Sequence, residues 1–511
     1  ILLERKFLME RPDQRLDFSH QLVRQEAYDS MSALQRRRWH LRVADALVTL
    51  HRADHNPAEA AFHYGNAGAA AQLPYARYSV HAGEKLLRAY GFRQAIDFFD
   101  TALDTLANLT DAPPDLTERA LQGRGLAYES LFDLDGVTDS YRRLLAWASH
   151  QGDRTLILKT HSRMATVLGI MGQDRESNEL LQELMSVLNA ATSPDDESPV
   201  TSRVITDLLE RRRIMYSADD SDDGGWSPYT PPPPVVNEPV RDILQVLEPL
   251  HAVLPLFDYG WTLLVQGQLG EATACLSAVV DLASDTAQPS IVSTALHQLA
   301  ITARILGELE QSQALNEQSV TINREVPGTA SELASMWPRI ASALLALQAG
   351  RLDEAERRLR RVIDFLGARD SYRNYRNSAN IGLGLVEIAR GDLTQARQLL
   401  EGALLDPVNL YPYMHVRALL GLARIARLEG DPRRADALLR QALRYAGRRS
   451  LFEEYMETLL EMAVQRPASA PTETLLEAFL RYLRPINLEA ATRRLEAALL
   501  VERHAVANKP G

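Results

Sequence analysis

The sequence predicts an all-α fold of stacked helical hairpins, an α-solenoid, preceded by a short β-hairpin. Three observations carry this reading. Leucine, alanine, arginine and glutamate, all good helix formers, dominate the long periodic stretches. A Gly-x-x-x-x-Ala signature recurs at Gly267/Ala272, Gly350/Ala355, Gly391/Ala396 and Gly430/Ala435, with serine in second place at Gly172/Ser177 and Gly307/Ser312. From Gly267 onward these glycines step by 40, 43, 41 and 39 residues, the self-similarity expected of a repeat array. A glycine can end a first helix in the left-handed conformation, and a small residue lets the second helix cross closely, so each unit is expected to be a helical hairpin.

Residues 1–30 read differently. Phe7-Leu8-Met9-Glu10-Arg11, the turn Pro12-Asp13-Gln14 and Arg15-Leu16-Asp17-Phe18 predict two short paired strands. Ser19 is then placed to cap a helix beginning near Gln21. A hairpin followed by a helix suggests the wing of a winged-helix domain. Connecting helices are expected over 31–73, a first repeat block over 74–215 and a second over 241–511, which includes the C-terminal helices. Between the blocks, 216–240 holds the acidic run Ser217 to Gly225, Trp226 and Pro231-Pro232-Pro233-Pro234. That composition disfavours helix, and a plain mobile loop is the expectation. Within a unit, Ile340 to Leu347 is an apolar first helix and Ala355 to Val362 an amphipathic second one.

The units resemble tetratricopeptide repeats. Gly83, Ala95, Phe99 and Ala102 fit that pattern, as do Gly125 and Tyr128, and Gly384, Ala396, Leu400 and Ala403. The usual period is about 34, so units near 40 imply longer helices. A second resemblance is carried by Phe18-Ser19-His20-Gln21-Leu22-Val23-Arg24-Gln25-Glu26-Ala27-Tyr28, continued by Leu34 to His40, Ala44 to Leu47 and Ala58 to Tyr64. This stretch is similar to the segment after the ATPase module in STAND-class signal-transduction ATPases, a class that includes large bacterial transcriptional activators. The resemblance implies a P-loop ATPase upstream, a winged helix and then a repeat arm, with ATP or ADP held upstream and no cofactor in this chain. It also implies that His20 senses the nucleotide diphosphate; the family's usual aspartate is replaced here by Gln21. The chain opens at Ile1 inside an amphipathic segment and is expected to be part of a longer regulator of signal transduction or transcription. The alternative is a free-standing interaction scaffold.

Composition narrows the chemistry. With 56 basic and 67 acidic residues, the net charge of −11 disfavours direct nucleic-acid or anionic-membrane binding. Arg36 to Arg38, Arg211 to Arg213 and Arg357 to Arg361 are expected to be solvated helix faces. Only four basic residues are lysines (Lys6, Lys85, Lys159 and Lys509). The single cysteine, Cys275, allows no internal disulfide and fits a small buried side chain in a cytoplasmic protein. No P-loop, His-Glu-x-x-His or Gly-x-Ser-x-Gly motif occurs, and Gly382-Leu383-Gly384 sits in an apolar helix rather than after a strand. His51, His55 and His63 are broken up by Asn56-Pro57, so no metal site and no catalytic centre is expected. The expected activity is recognition of a protein, peptide or small-molecule inducer, and self-association is compatible with it. Counting back from the turn glycines along each first helix puts Trp261, His297, Arg304, Trp337, Tyr375, Arg376, Tyr413, Arg417 and Arg424 on the concave groove.

Overall fold

The computed structural model describes residues 7–10, 16–171, 173, 176–177, 179–180, 183, 207–208, 210–216, 226–235, 238–246, 249–285, 289–324, 332–333, 335–367, 372–407, 410–465, 471–484 and 488–507. It is a tetratricopeptide-like all-α chain with one two-stranded sheet among the described residues. The contacts divide it into two compact units, 1–128 with 139–144 and 129–138 with 145–511.

The first unit opens with β1 (Leu8–Glu10) and β2 (Leu16–Phe18), antiparallel with Leu8 opposite Phe18 and Glu10 opposite Leu16. The hairpin is as expected, but the cap is not. The helix α1 (Gln21–Asp29) starts after His20, which makes no side-chain cap, and the Ser19 hydroxyl donates to Phe7 O across the hairpin. Next come α2 (Ala33–Thr49), α3 (Arg52–His55), α4 (Pro57–Ala67), α5 (Gln72–Arg88) and α6 (Phe92–Ala107). Ser32 and Gln35 form a reciprocal capping box at the start of α2, satisfying two backbone donors that no turn of helix can reach. The tetratricopeptide signature has a direct physical meaning in this unit. A Cβ on Gly83 of α5 would stand 2.7 Å from the Phe99 ring of α6, so only glycine admits that crossing. The same holds at Gly125, where a Cβ would meet Tyr141 at 2.7 Å. His63 contacts His40 (Nδ1 to Nδ1 2.9 Å), and His40 Nε2 lies 3.0 Å from the Tyr28 hydroxyl, a chain that ties α1, α2 and α4 together.

The helices α7 (Pro114–Leu131), α8 (Leu134–Gln151) and α9 (Arg154–Ile170) follow. Among the described residues the second unit then contains α10 (Pro239–Val246) and five hairpins: α11 (Pro249–Val265) with α12 (Leu269–Asp285), α13 (Pro289–Leu306) with α14 (Leu309–Arg324), α15 (Met336–Gln348) with α16 (Leu352–Leu366), α17 (Arg373–Arg390) with α18 (Leu393–Leu404), and α19 (Pro412–Leu428) with α20 (Pro432–Arg448). The helices α21 (Phe452–Gln465), α22 (Thr472–Leu483) and α23 (Glu489–Ala507) follow. Gly267, Gly307, Gly350, Gly391 and Gly430 all have positive φ, between 74° and 91°, as the repeat signature requires. Asp392 and Asp431, directly after two of these glycines, accept hydrogen bonds from the backbone N–H of Gln395 and Arg434, so a Gly-Asp pair stops one helix and starts the next. Gly172 lies outside the described residues.

Two expectations are corrected in this unit. Residues 226–235 have no regular secondary structure but are docked on the second unit rather than loose. Thr230 N donates to Gly447 O, Arg440 stacks over Trp226, and the Tyr229 ring sits 5.0–5.2 Å from Tyr455, Phe479 and Tyr482. The acidic run 217–225 lies outside the described residues. The second correction concerns the arginine triplet. Arg213 is solvated, but Arg211 is fully buried, donating to Asp207, Gln266 and the carbonyls of Pro233 and Pro234, while Arg212 is bidentate on Asp258. Polar partners distant in sequence make that burial tolerable. Arg37, Arg38, Arg357, Arg358, Arg360 and Arg361 are exposed, as expected. Cys275 is buried, and its burial pushes the thiol up to about 12.

The second unit also closes on itself. A Cβ on Gly267 would meet the Phe452 ring of α21 at 2.5 Å, one on Gly307 would meet Ala490 of α23 at 3.3 Å, and Arg304 on α13 reaches Glu453 on α21. The first helices of the hairpins thus face a space bounded at the far side by the C-terminal helices.

Candidate ligand cavity in the second unit

The apolar first helices place their inward residues at helical intervals of three, four and seven. On α13 that brings His297, Ile301 and Arg304 to one face. On α11 it brings Trp261 and Leu264, on α15 Trp337, Ile340, Ala341 and Leu344, and on α19 Tyr413 and Arg417. All of these, with Glu453 and Glu454 from α21, border one cavity, about 790 Å³ of space that includes open solvent. A second cavity, about 560 Å³ of space that includes open solvent, shares Trp261, His297, Trp337 and Tyr413 with it and has Arg212, Asp258, Thr294 and Gln298 among its other lining residues. The shared residues are a waist against which both cavities, the two lobes, abut.

Six of the nine residues expected on the groove therefore meet at this place: Trp261, His297, Arg304, Trp337, Tyr413 and Arg417. Tyr375 does not line it; it is 3% exposed and packs against the Trp337 ring at 5.4 Å. Arg376 is half-buried and off the cavity wall. Arg424 is exposed and donates to Glu461 at 2.6 and 2.8 Å. The aromatic waist holds itself in place. The Trp337 ring lies 4.9 Å from Tyr411 and 5.8 Å from Tyr413, and Tyr413 lies 5.8 Å edge-on from Trp261.

The charged wall is arranged in pairs. Arg304 donates to both oxygens of Glu453 at 2.6 and 2.8 Å, and Arg417 stands 3.5 Å from Glu453 and from Glu454. Burial favours a neutral Glu453, but Arg304 and then Arg417 outweigh it and hold its carboxyl at about 2. Burial and the neighbouring Glu453 push Glu454 up to about 7, with Arg417 acting against them. His297 is buried, with Nδ1 3.0 Å from Asn316 Oδ1. Burial lowers its pKa to about 4 although that hydrogen bond works the other way, so the imidazole is neutral near pH 7. With Asn316 Oδ1 accepting, the ring proton sits on Nδ1 and Nε2 is an acceptor.

Sequence reasoning missed Glu453 and Glu454. They lie outside the glycine-spaced hairpins, and nothing local marks Glu453 as the partner of Arg304, 149 residues away, or Glu454 as a partner of Arg417. Elsewhere, His20 is exposed, with its backbone carbonyl accepting from Val23 and Arg24 at the start of α1. Among the described residues, no three His, Cys, Asp or Glu side chains come together as a metal site, and no helix is long and apolar enough to cross a membrane.

No family model and no curated protein matches the chain. Solved structures do match it. The Rap conjugation gene regulator of the plasmid pLS20, in complex with the Phr* peptide, is 14% identical with a TM-score of 0.39, over 69% of this chain and 98% of that one. The APC/C hetero-tetramer Cut9–Hcn1 is 15% identical with a TM-score of 0.35, over 94% and 92%. Yeast Tom70 is 14% identical with a TM-score of 0.28, over 84% and 96%. Likeness of this size carries no argument about the chain.

Proposed function

We propose that the second unit receives an inducer in its two-lobed cavity, and that the chain is the sensing arm of a STAND-class ATPase regulator of signal transduction or transcription. The supporting observation is convergence. Residues chosen only by their distance from the turn glycines, and drawn from four different helices, border one cavity with an aromatic waist. Such a concave, mainly apolar site with a few directed polar groups is what small-ligand recognition uses. In this reading ATP and ADP belong to the upstream module, His20 reports on the nucleotide, and inducer binding biases the arm between two arrangements. The test is a thermal-shift screen of a small-molecule and peptide library, repeated on Ala341→Trp, which fills the first lobe. Hits that stabilise the parent chain and not the variant support the reading; hits that stabilise both equally, or none at all, overturn it. In the parent protein carrying its ATPase, His20→Ala is expected to lower the ADP retained through purification. Equal occupancy removes His20 from the switch.

A second reading, a free-standing protein-interaction scaffold, draws on the exposed apolar side chains of the first unit, among them Leu22, Leu34, Trp39 and Phe62. A P-loop encoded upstream of Ile1 favours the sensing arm over this scaffold.

A further inference from the structure

We infer that the two lobes form one site for an uncharged amphipathic small molecule, with its apolar body in the first lobe and a hydrogen-bond-donating head in the second. This rests on the ligand-receiving reading of the cavity and adds the chemical class of the ligand.

Above pH 7, where Glu454 is ionised, each cation bordering the lobes already faces an anion: Arg304 is on Glu453, Arg417 is between Glu453 and Glu454, and Arg212 is on Asp258 at 2.7 Å. A charged ligand seated against this wall would have to break one of these pairs or lie partly desolvated without a counter-ion, and either is unfavourable. This argues against a free peptide with its two charged ends as well as against an organic acid or amine.

Away from the charged pairs, an apolar wall in the first lobe and an orphaned acceptor in the second orient the ligand. The first lobe is walled by Leu264, Ile301, Ile305, Ile340, Leu344 and Met414, which suit an aliphatic or aromatic body. The second contains Gln298, 5% exposed, whose Oε1 is buried with no hydrogen-bond partner among the described residues. An orphaned buried acceptor is uncommon, because leaving it unpaired costs about 1–3 kcal/mol. His297, one residue away at the waist, offers a second acceptor through Nε2. Two acceptors beyond an apolar lobe call for a donor head such as a hydroxyl, an amide N–H or an aryl amine.

The test uses three fluorescent probes that share one skeleton. N-phenyl-1-naphthylamine is uncharged with one N–H donor, its N-methyl derivative is uncharged without a donor, and 8-anilino-1-naphthalenesulfonate adds a negative charge. On the full chain at pH 8, N-phenyl-1-naphthylamine is expected to bind saturably at one site, with the sulfonate at least about tenfold weaker. Gln298→Leu is expected to weaken N-phenyl-1-naphthylamine about five- to tenfold and to leave the N-methyl derivative unchanged. Ala341→Trp and Leu344→Trp, two independent fillings of the first lobe, are each expected to block both uncharged probes; a variant counts only if its helical circular dichroism and melting match the parent. A sulfonate that binds as tightly as the uncharged probe, or a Gln298→Leu that affects both uncharged probes alike or neither, overturns the ligand class and leaves the cavity as the receiving site. Probe binding that survives both lobe-filling variants overturns the cavity itself, and with it the function proposed above.

Discussion

Glu453 and Glu454 are adjacent in sequence and their pKa values are pushed in opposite directions. Glu453, held down at about 2 by Arg304, contributes stability that is present above its unfolded pKa and lost as pH falls through about 2. Glu454, raised to about 7, contributes stability that is full below pH 4.5 and is lost as pH rises through about 7. Glu453→Ala is therefore expected to destabilise the chain by roughly 3 kcal/mol at pH 6, because it strands a largely buried guanidinium. Glu454→Gln is expected to raise the urea midpoint at pH 8 and to leave it nearly unchanged at pH 4. Urea titrations at the three pH values check both; equal effects of the two variants at pH 8 contradict the assignment. His297 acts on the acid side, where its depressed pKa gives stability above pH 6.5 that is lost as pH falls through about 4. At this scale the aromatic and basic side of the cavity was legible, since Trp261, His297, Trp337 and Arg417 follow from helical spacing. The acidic side was not, because a carboxylate that meets its partner 149 residues away leaves no periodic trace.

Among elements, the turn glycines separate two physical effects. Gly350 has φ +74° and nothing near the place of a Cβ, so Gly350→Ala probes backbone strain alone, expected at about 1 kcal/mol. Gly267 has a similar φ of +81°, but its Cβ would strike Phe452 at 2.5 Å, so Gly267→Ala is expected to cost about 3 kcal/mol or more. Chemical denaturation of the two variants compares them directly; equal losses would mean that α21 yields to the new methyl group. The docked stretch 226–235 offers a different test. Tyr229→Ala empties the place between Tyr455, Phe479 and Tyr482 and is expected to cost about 2–3 kcal/mol while making this stretch the first site of limited proteolysis. The sequence shows that these residues cannot be helix, but their dock is built from α21 and α22, more than 200 residues downstream. Composition describes a segment's own preferences and says nothing of such a distant surface.

For the second unit as a whole, a simple repeat array would draw its stability from neighbouring hairpins only. Here α21 and α23 also meet α11 and α13 through Phe452, Glu453 and Ala490, so hairpins far apart in sequence are coupled. Removing residues 471–511 is expected to lower the unfolding midpoint of the entire second unit rather than to peel away one step. Hydrogen exchange checks this: amides of α13 should lose protection together with those of α21. Protection lost in α21 alone would restore the neighbour-only picture. The repeat period announced the hairpins, yet it could not announce closure, which depends on the accumulated turn of several hairpins rather than on any one of them.

The Arg304–Glu453 pair also marks time. At about 5–20 residues per second, the ribosome needs roughly 7 to 30 s to travel the 149 residues between them. During that interval α11 to α20 can form and stack, while the arginine, the aromatic waist and the surface awaiting Phe452 stand open to the cell. A nascent chain is thus expected to display the aromatic wall of the cavity before the acidic wall opposite it, and to complete the cavity only once α21 has been made.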